Sequence, residues 1–265
     1  MTKLIITGAA GRMGRTLISL LAREPELTLI GAVEAAGSAA LGLDAGTLAG
    51  VEPMGVPIGA DYATLAAPDT VTLDFTNASA ALSHLEIAAA RGAAIAIGST
   101  GFAPDMMARA RTLASRTRTL IAPNMSLGVN VLSRLVSEVA AMLPEFDAEV
   151  LELHHRTKLD APSGTALALG RAIAAARGQD FEANKLHGRQ GIIGPRPEGQ
   201  IGVMALRGGD AVGDHTVLFC GGGERLELIH RTQSREALAR GALRAARWLA
   251  AQPNGLYSMA DVLGL

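Results

Sequence analysis

The sequence predicts an α/β fold with two domains: a doubly wound parallel sheet, then an α+β domain with a mixed, largely open sheet. In residues 3–122, short β-branched runs alternate with runs that have helical spacing. The strand-like runs are apolar on both faces, as in a parallel sheet that helices cover on each side. After Pro123, three strand-like runs follow one another without intervening helices, which favours a mixed or antiparallel sheet. The first domain is therefore predicted to be Rossmann-like and the second to be of a different kind.

The elements of the first domain follow in order from these runs. Residues 3–7 (KLIIT) form a strand that stops at Gly8, and residues 12–22 have apolar side chains at helical spacing. Further strands are predicted at 27–33, 71–76, 94–97 and 117–122, and helices at 78–91 and 104–115. Residues 35–60 contain six glycines and no clean period, so we expect a long loop with short elements there.

The second domain begins with a helix at 129–143, which Pro144 ends, and an alternating strand at 148–156. Glycine and proline indicate a loop at 188–199. The other predicted elements are a helix at 163–176, strands at 200–206, 215–220 and 224–231, and a closing helix at 235–250 that fits either domain.

The composition points to a small-molecule partner. Lys and Arg number 24 against 25 Asp and Glu, and no basic run offers an electrostatic footprint for nucleic acid. No apolar run approaches the roughly 20 residues that a membrane span needs, so we expect no membrane association. Cys220 is the only cysteine, which excludes an internal disulfide and a cysteine-rich zinc site. We therefore expect a protein of the reducing cytoplasm.

The turn after the first strand has the character of a dinucleotide-binding turn. Gly11 and Gly14 match the second and third glycines of G-x-G-x-x-G, while the first glycine is displaced to Gly8. A tight turn, a bare backbone beside a pyrophosphate and close helix packing are still provided. Glu34 lies twenty residues beyond Gly14 at the end of the second strand, where an acidic side chain takes the ribose hydroxyls. The alternative is an ordinary glycine-rich turn between a strand and a helix.

A second group of polar residues lies in the segment 152–166 (ELHHRTKLDAPSGTA). His154 and His155 are adjacent on a strand and point to opposite faces, so they do not share a metal ion, and we expect no metal site. Residues 163–165 (SGT) open a helix, whose N–H groups suit an anion, and Lys158 lies a few residues away. This arrangement predicts a carboxylate site. The alternative is that the serine only caps the helix and the lysine is a solvated surface charge.

Other polar residues carry weaker signals. Residues 98–101 (GSTG) follow a strand and either line a cofactor cleft or form a simple turn. Asp74 is either a contact at a strand end or a buried acid with satisfied hydrogen bonds, and we expect His84 to be structural. Three histidines have no partner grouped near them in the sequence, and for these we expect an ordinary surface or core position: His187, His215 and His230.

Seven segments together resemble the 4-hydroxy-tetrahydrodipicolinate reductase (dihydrodipicolinate reductase) family, and the resemblance covers essentially the whole chain. They are GAAGRMG (8–14), GSTGF (98–102), APNMSLGVN (122–130), ELHHRTKLDAPSGTA (152–166), RGGDAVGDHTV (207–217), GERLELIHR (223–231) and GLYSMADVLGL (255–265). The part HHRTKLDAPSGTA is highly specific, whereas many dehydrogenases share the glycine turn.

The resemblance implies a dinucleotide-binding domain of residues 1–126 and 236–265, with a substrate-binding and oligomerisation domain, residues 127–235, between its parts. It also implies a homotetramer assembled through the sheets of the central domain. The implied reaction is hydride transfer from NADH or NADPH to a conjugated cyclic imine dicarboxylate. The product is tetrahydrodipicolinate, in the diaminopimelate route to lysine.

The resemblance also assigns roles to individual residues by position. His154 matches the proton donor, and Lys158 is assigned to substrate binding and catalysis. The other residues assigned to the substrate are His155, Ser163, Gly164, Thr165 and Arg235. Together with the glycine turn, the residues assigned to the cofactor are Gly8, Gly11, Arg12, Met13, Gly14, Glu34, Phe75, Thr76, Gly98, Thr100, Ala122 and Met125.

The chemistry of the residues agrees with this assignment. A planar dicarboxylate needs cationic or N–H donors, which Lys158, Arg235 and the helix start at Gly164 supply. Hydride addition leaves carbanion character to be protonated, and histidine suits that task at neutral pH. Ala35 and Ala36 follow Glu34 where many relatives have a basic residue, so we expect NADH to be preferred to NADPH or used equally.

The sequence leaves two alternatives open. Another two-domain NAD(P)-dependent dehydrogenase, acting on homoserine or aspartate, would share the glycine turn but has no use for the His-His-Lys and Ser-Gly-Thr residues together. A non-catalytic nicotinamide-sensing protein would keep the first group of residues and leave the second idle. Nicotinamide binding without turnover would favour the sensing protein.

Overall fold

A computed structural model describes residues 1–265 and contains twelve strands and nine helices. The strands are β1 (Thr2–Thr7), β2 (Leu27–Val33), β3 (Ile58–Gly59), β4 (Thr70–Asp74), β5 (Ala94–Ile97), β6 (Arg118–Ile121), β7 (Asp147–His154), β8 (Lys185–Leu186), β9 (Ile201–Arg207), β10 (Asp214–Cys220), β11 (Arg225–Arg231) and β12 (Gly255–Tyr257). The helices are α1 (Arg12–Leu21), α2 (Ala45–Ala49), α3 (Ala78–Arg91), α4 (Pro104–Ala114), α5 (Leu127–Met142), α6 (Gly164–Ala176), α7 (Phe181–Asn184), α8 (Glu236–Ala250) and α9 (Met259–Leu263).

The chain divides into two compact units. The first unit comprises residues 1–127 and 235–265, and the second comprises residues 128–234. The C-terminal segment therefore returns to the unit that the N-terminal segment began. None of the helices has both the length and the apolar character that crossing a membrane requires.

The first unit is built on a seven-stranded sheet in the order β12-β6-β5-β4-β1-β2-β3, in which every strand pair is parallel. Successive side chains of β1 enter different cores: Leu4 and Ile6 pack with α1 and α8, and Ile5 packs with α3 and α4. The strand order reverses direction at β1, which lies between β2 and β4. In such sheets ligands bind beyond the carboxyl ends of the strands at this switch point.

The second unit is built on a five-stranded sheet in the order β11-β10-β7-β9-β8. Strand β7 is antiparallel to β10 and parallel to β9, so the sheet is mixed. Val150 of β7 and Val217 of β10 point to the face that α5 and α6 cover. On the opposite face, Leu206 and Ile229 are 50% and 47% exposed. One face of this sheet is therefore open.

The predicted fold class is confirmed in both units. The glycine-rich segment 35–60 has only the short elements α2 and β3, as expected. The sequence did not predict β8, β12, α7 or α9, which contain two to five residues each. Elements of that length are too short for a hydrophobic period to be read.

Candidate functional site

The glycine turn joins β1 to α1 and leaves the start of the helix bare. Gly8 has φ +71°, a left-handed conformation that glycine adopts without strain. A Cβ atom on Gly14 would lie 2.2 Å from the carbonyl oxygen of Gly8, so no side chain fits where α1 packs against the turn. Gly11 is the N-cap residue and offers no side-chain cap to the first N–H groups of α1. These N–H groups suit a phosphate.

A cavity of about 370 Å³ lies beside this turn, at the ends of the strands in the first unit. Glu34 follows β2 and accepts hydrogen bonds from the backbone N–H of Ala10, at 3.0 Å, and from its neighbour Ala35. The acid predicted to take ribose hydroxyls is therefore anchored to the glycine turn. The side chains around the cavity include Glu34, Ala35, Ala36, Phe75, Thr76 and His84, and no lysine or arginine is among the residues that line it.

Asp74 is a buried acid with satisfied hydrogen bonds, one of the two alternatives that the sequence left open. It accepts hydrogen bonds from the Thr7 hydroxyl at 2.7 Å and from Nδ1 of His84 at 2.6 Å. Its other oxygen accepts from the backbone and hydroxyl of Thr76. Burial raises the pKa of Asp74, but the hydrogen bonds from His84 and Thr76 outweigh burial and lower the pKa below its usual value. Asp74 thus ties the ends of β1 and β4 to two residues of the cavity.

The remaining residues assigned to the cofactor follow the strands or open α1. Gly98 comes directly after β5 and packs on the Phe75 ring, where an added Cβ would lie 2.2 Å from a ring carbon. Thr100 is exposed in the same loop. The others are Arg12, exposed, Met13, half-buried, and Ala122 and Met125, both buried after β6.

The second group of predicted residues lies at the end of β7 and at the start of α6. His154 is the last residue of β7 and only 9% exposed. Its Nδ1 atom lies 2.5 Å from Oε2 of Glu152, which is fully buried. Glu152 also accepts hydrogen bonds from Nη1 of Arg207 at 2.8 Å and from the backbone N–H of Ser163 at 3.0 Å. One carboxylate therefore contacts the predicted proton donor, a cation and the start of α6.

Glu152 is ionised in this setting. Burial raises the pKa of Glu152, but hydrogen bonds from His154, Arg207 and the Ser163 N–H together lower it below its usual value. An acceptor with these three donors is charged at neutral pH.

The loop after β7 carries the predicted cation of the carboxylate site. Nζ of Lys158 lies 2.8 and 2.9 Å from the two carboxylate oxygens of Asp160, whose side chain is 62% exposed. His155 is half-buried and its Nδ1 contacts the Thr157 hydroxyl. Lys158 is therefore ion-paired within this loop. Its partner is exposed, so a ligand carboxylate can replace it.

Ser163 caps α6, which begins at Gly164 and continues through Thr165. Its Oγ accepts a hydrogen bond from the N–H of Ala166 at 3.1 Å and lies 3.2 Å from Nε2 of His215. Capping by Ser163 is thus confirmed. It does not exclude the predicted anion site, because the start of α6 directly follows the loop that carries Lys158. The N-terminus of a helix favours negative charge.

His215 is a residue of this site to which the sequence assigned no role. Its ring contacts the His154 ring edge-on, with centroids 5.4 Å apart. Burial, followed by the nearby His154, lowers the pKa of His215 to about 4. His215 is therefore neutral at neutral pH. It lies in the core, one of the two positions expected, but it contacts His154 and Ser163 there, which the sequence did not predict.

The sequence reasoning also missed Glu152 and Arg207. Glu152 and His154 are two residues apart on one strand, so alternation places them on the same face, a signal that was available. Arg207 lies 55 residues from Glu152 and reaches it only through the pairing of β7 with β9. Arg235, assigned to the substrate, is an exposed residue at the N-cap of α8 in the first unit. Its role stays a prediction.

Comparison with known proteins places these residues in a family context. The family model described as "Dihydrodipicolinate reductase, N-terminus" matches residues 2–125, and the model described as "Dihydrodipicolinate reductase, C-terminus" matches residues 128–263. A 4-hydroxy-tetrahydrodipicolinate reductase of Anaeromyxobacter dehalogenans is 52% identical over 100% of this chain and 98% of its own. The enzyme of that name from Syntrophobacter fumaroxidans is 46% identical over the full length of both chains.

A solved structure shows the same fold. The dipicolinate-bound dihydrodipicolinate reductase of Paenisporosarcina sp. TG-14 has a TM-score of 0.78 at 23% sequence identity, and the match covers 98% of both chains. An amine dehydrogenase of Mycobacterium smegmatis matches with a TM-score of 0.60 at 13% identity, over 97% of this chain and 95% of that one. At these identities the likeness concerns the fold.

Proposed function

This chain belongs to the dihydrodipicolinate reductase family, and on that premise we propose that it reduces 4-hydroxy-tetrahydrodipicolinate to tetrahydrodipicolinate with a nicotinamide cofactor. The proposed place of this reaction is the diaminopimelate route to lysine. One observation in the chain itself carries the proposal: Glu152 hydrogen-bonds both His154 and the N–H of Ser163. A proton donor and a helix start suited to a carboxylate are thus held by a single buried acid.

The first unit fits a dinucleotide. No side chain can be added at Gly14 without displacing the turn, and the bare start of α1 suits a pyrophosphate. Glu34 and the cavity beside it suit the adenosine ribose. We assign the rest of the cofactor to the residues after β4, β5 and β6 named in the sequence analysis. When bound, a reduced nicotinamide supplies a hydride.

The proposed coenzyme preference follows from the charge around the cavity. Glu34 suits the two ribose hydroxyls of NADH and repels the 2′-phosphate of NADPH. Ala35 and Ala36 offer no cation to offset that repulsion, and no lysine or arginine lines the cavity. We therefore place NADH as the preferred or equally used coenzyme.

The second unit supplies groups for a small dicarboxylate. Lys158 and the start of α6 at Gly164 and Thr165 are placed to hold one carboxylate, with His155 and Ser163 nearby. We also assign Arg235, which belongs to the first unit, to the substrate carboxylates, as the family resemblance implies. The dipicolinate bound to the Paenisporosarcina relative is a ligand of this chemical class. A charge-assisted contact of this kind contributes about 1.5–3 kcal/mol.

His154 supplies the proton in this proposal. The substrate gains one hydride and one proton and loses its 4-hydroxyl as water. Hydride addition leaves an electron pair on the ring, and the proton carried by the imidazolium of His154 completes the reduction there. His154 then returns to its neutral form and takes a proton from solvent before the next turnover.

The proposed assembly is a homotetramer formed through the open face of the five-stranded sheet. Leu206 and Ile229 are about half-exposed on this face, beside a groove of about 420 Å³. Exposed apolar sheet faces of this kind mark association surfaces. Light scattering after size-exclusion chromatography should give four times the monomer mass. We place the enzyme in the cytoplasm, where its one cysteine stays reduced.

A coupled assay tests the proposal. Dihydrodipicolinate synthase generates the substrate, and the loss of NADH or NADPH absorbance is followed with the wild type and His154→Ala. We expect turnover by the wild type and a kcat lower by about 10²- to 10⁴-fold in the variant, with a small change in KM. Cofactor binding without turnover by the wild type would contradict the proposal and favour a sensing protein. Wild-type kcat in His154→Ala would remove His154 as the proton donor.

A further inference from the structure

The geometry points to Glu152 as the positioning residue of the proton-donating site, acting through His154 and through the start of α6. Glu152 fixes which nitrogen of His154 exchanges the proton. It also fixes the position of that ring relative to the carboxylate site, which consists of Lys158 and the start of α6. This inference rests on the proposed function, in which His154 is the proton donor.

The first support is the way Glu152 is buried. Its side chain is inaccessible to solvent on the face of β7 that α5 and α6 cover. A buried charge is costly unless it is paired and hydrogen-bonded. Both oxygens of Glu152 have donors: Oε2 contacts His154 and Arg207, and Oε1 contacts the N–H of Ser163. An apolar residue would fill this core position at lower cost, so the acid requires an explanation beyond packing.

The second support is the identity of the contacted nitrogen. A carboxylate only accepts hydrogen bonds, so Nδ1 of His154 must carry a proton to make the contact with Glu152. In the neutral ring Nε2 is then the basic nitrogen, and in the charged ring the Nε2 proton is the one available for transfer. Gly213 faces this nitrogen, and a Cβ at that position would lie 2.9 Å from Nε2. Because residue 213 has no side chain, space remains beside Nε2 of His154.

The third support is the connection from Glu152 to the carboxylate site. Arg207 donates through Nη1 to Glu152 and through Nη2 to the carbonyl oxygen of Asp160. Asp160 is the partner of Lys158. The N–H of Ser163, where α6 begins, is the third donor to Glu152. Through these contacts one carboxylate sets the positions of the proton donor, the cationic loop and the helix start relative to one another.

The first test measures the tautomer of His154 directly. Nitrogen-15 NMR of histidine-labelled protein distinguishes the two neutral tautomers, and the His154 signals are identified by their loss in His154→Ala. We expect neutral His154 to carry its proton on Nδ1 in the wild type. In Glu152→Gln we expect a mixture or the Nε2-protonated tautomer, because the amide group can donate to Nδ1 as well as accept. A wild-type His154 protonated on Nε2 overturns the inference.

The second test is a double-mutant cycle. Glu152→Gln should lower kcat at least about tenfold, because Nδ1 of His154 loses its fixed acceptor. KM and the NADH dissociation constant should change less than about threefold, because the amide oxygen still accepts the hydrogen bond from the Ser163 N–H. In the His154→Ala background the same substitution should have little further effect on kcat, because its effect on proton transfer passes through His154. A purely structural role predicts equal losses in both backgrounds, which would overturn the inference. So would a Glu152→Gln enzyme with wild-type kcat.

A matched control removes a carboxylate from the same unit without touching the site. Glu138 is partly exposed on α5 and pairs with Arg134, so Glu138→Gln should leave kcat, KM and the tautomer of His154 unchanged. Thermal melts show whether Glu152→Gln is folded. If Glu152→Gln is not folded, the kcat of Glu152→Asp and the tautomer of His154 in the wild type test the inference instead. A wild type that does not turn over contradicts the proposed function, whereas the tautomer of His154 can be measured either way.

Discussion

Nδ1 of His154 lies 2.5 Å from Oε2 of Glu152, two positions earlier on the same face of β7. Period-two alternation of the strand produces this neighbour relationship without any help from the rest of the fold. What alternation does not produce is the burial of the pair, which depends on α5 and α6 covering that face. The local sequence therefore makes the two residues neighbours, and the packing of the unit removes their contact from solvent.

The ion pair between Lys158 and Asp160 leads to the first prediction. A substrate carboxylate must replace Asp160 at the ammonium group, so the two residues should act in opposite directions on binding. Lys158→Ala should raise KM for the dicarboxylate about tenfold to a hundredfold, from the loss of about 1.5–3 kcal/mol. Asp160→Asn should lower KM severalfold. Steady-state kinetics measures both, and a fall in kcat in Lys158→Ala would show that the contact strengthens in the transition state.

Lys185→Ala is the control for this pair. Lys185 belongs to the same unit and pairs with the exposed Glu182, so its loss removes an equal charge away from the site. KM should stay at the wild-type value. If Asp160→Asn raises KM as far as Lys158→Ala does, then Asp160 orients the lysine and does not compete with the substrate.

The second prediction concerns the coenzyme. Ala35→Arg should raise kcat/KM for NADPH by about tenfold relative to NADH, because it adds a cation beside the ribose cavity. The only other titratable side chains that line this cavity are Glu34 and His84. Initial rates with both coenzymes measure the ratio. Ala103→Arg adds the same charge at an exposed position that does not line the cavity, and it should leave the ratio unchanged. A wild-type preference for NADPH of tenfold or more would show that our interpretation of Glu34 is wrong.

The third prediction concerns the glycine turn. Gly14→Ala places a Cβ 2.2 Å from the Gly8 carbonyl oxygen and 2.7 Å from the backbone of Ala9. The turn must shift, at a cost of about 1–3 kcal/mol, and the anion site at α1 shifts with it. We expect a lower melting temperature and NADH affinity weakened about tenfold or more in a fluorescence titration. Gly37→Ala has open space around the new methyl group and should change neither. Wild-type NADH affinity in Gly14→Ala would separate the turn from cofactor binding.

The sequence predicted those parts of the fold and site that depend on local patterns. The helix expected at 129–143 is observed at Leu127–Met142, because an unbroken apolar period extends to a proline. The capping role of Ser163 was an explicit alternative for the same reason. His215 was not found because 52 residues separate it from Ser163, and only the pairing of β10 with β7 brings them together. Contacts made across strands have no signature in a single sequence.

The last prediction is the pH dependence of stability that His215 imposes. Its folded pKa is about 4, lowered by burial and by His154, against an ordinary value of 6.5. Between these values the unfolded chain binds the proton and the folded chain does not, so stability is full above about pH 6.5 and falls as the pH drops toward 4.

The two pKa values of His215 differ by about 2.5, so the free energy of unfolding falls by at most about 3 kcal/mol. Denaturant unfolding of the wild type and His215→Asn between pH 8 and pH 5 measures it, a range that stays above the ordinary pKa of Glu152. The pKa of His230 is also lowered by burial, so the difference between the two proteins is what isolates His215. The free energy of unfolding should fall by about 2 kcal/mol more in the wild type than in the variant over this range. Parallel pH profiles for the two proteins would mean that the buried ring accepts a proton without cost, which contradicts its place against His154.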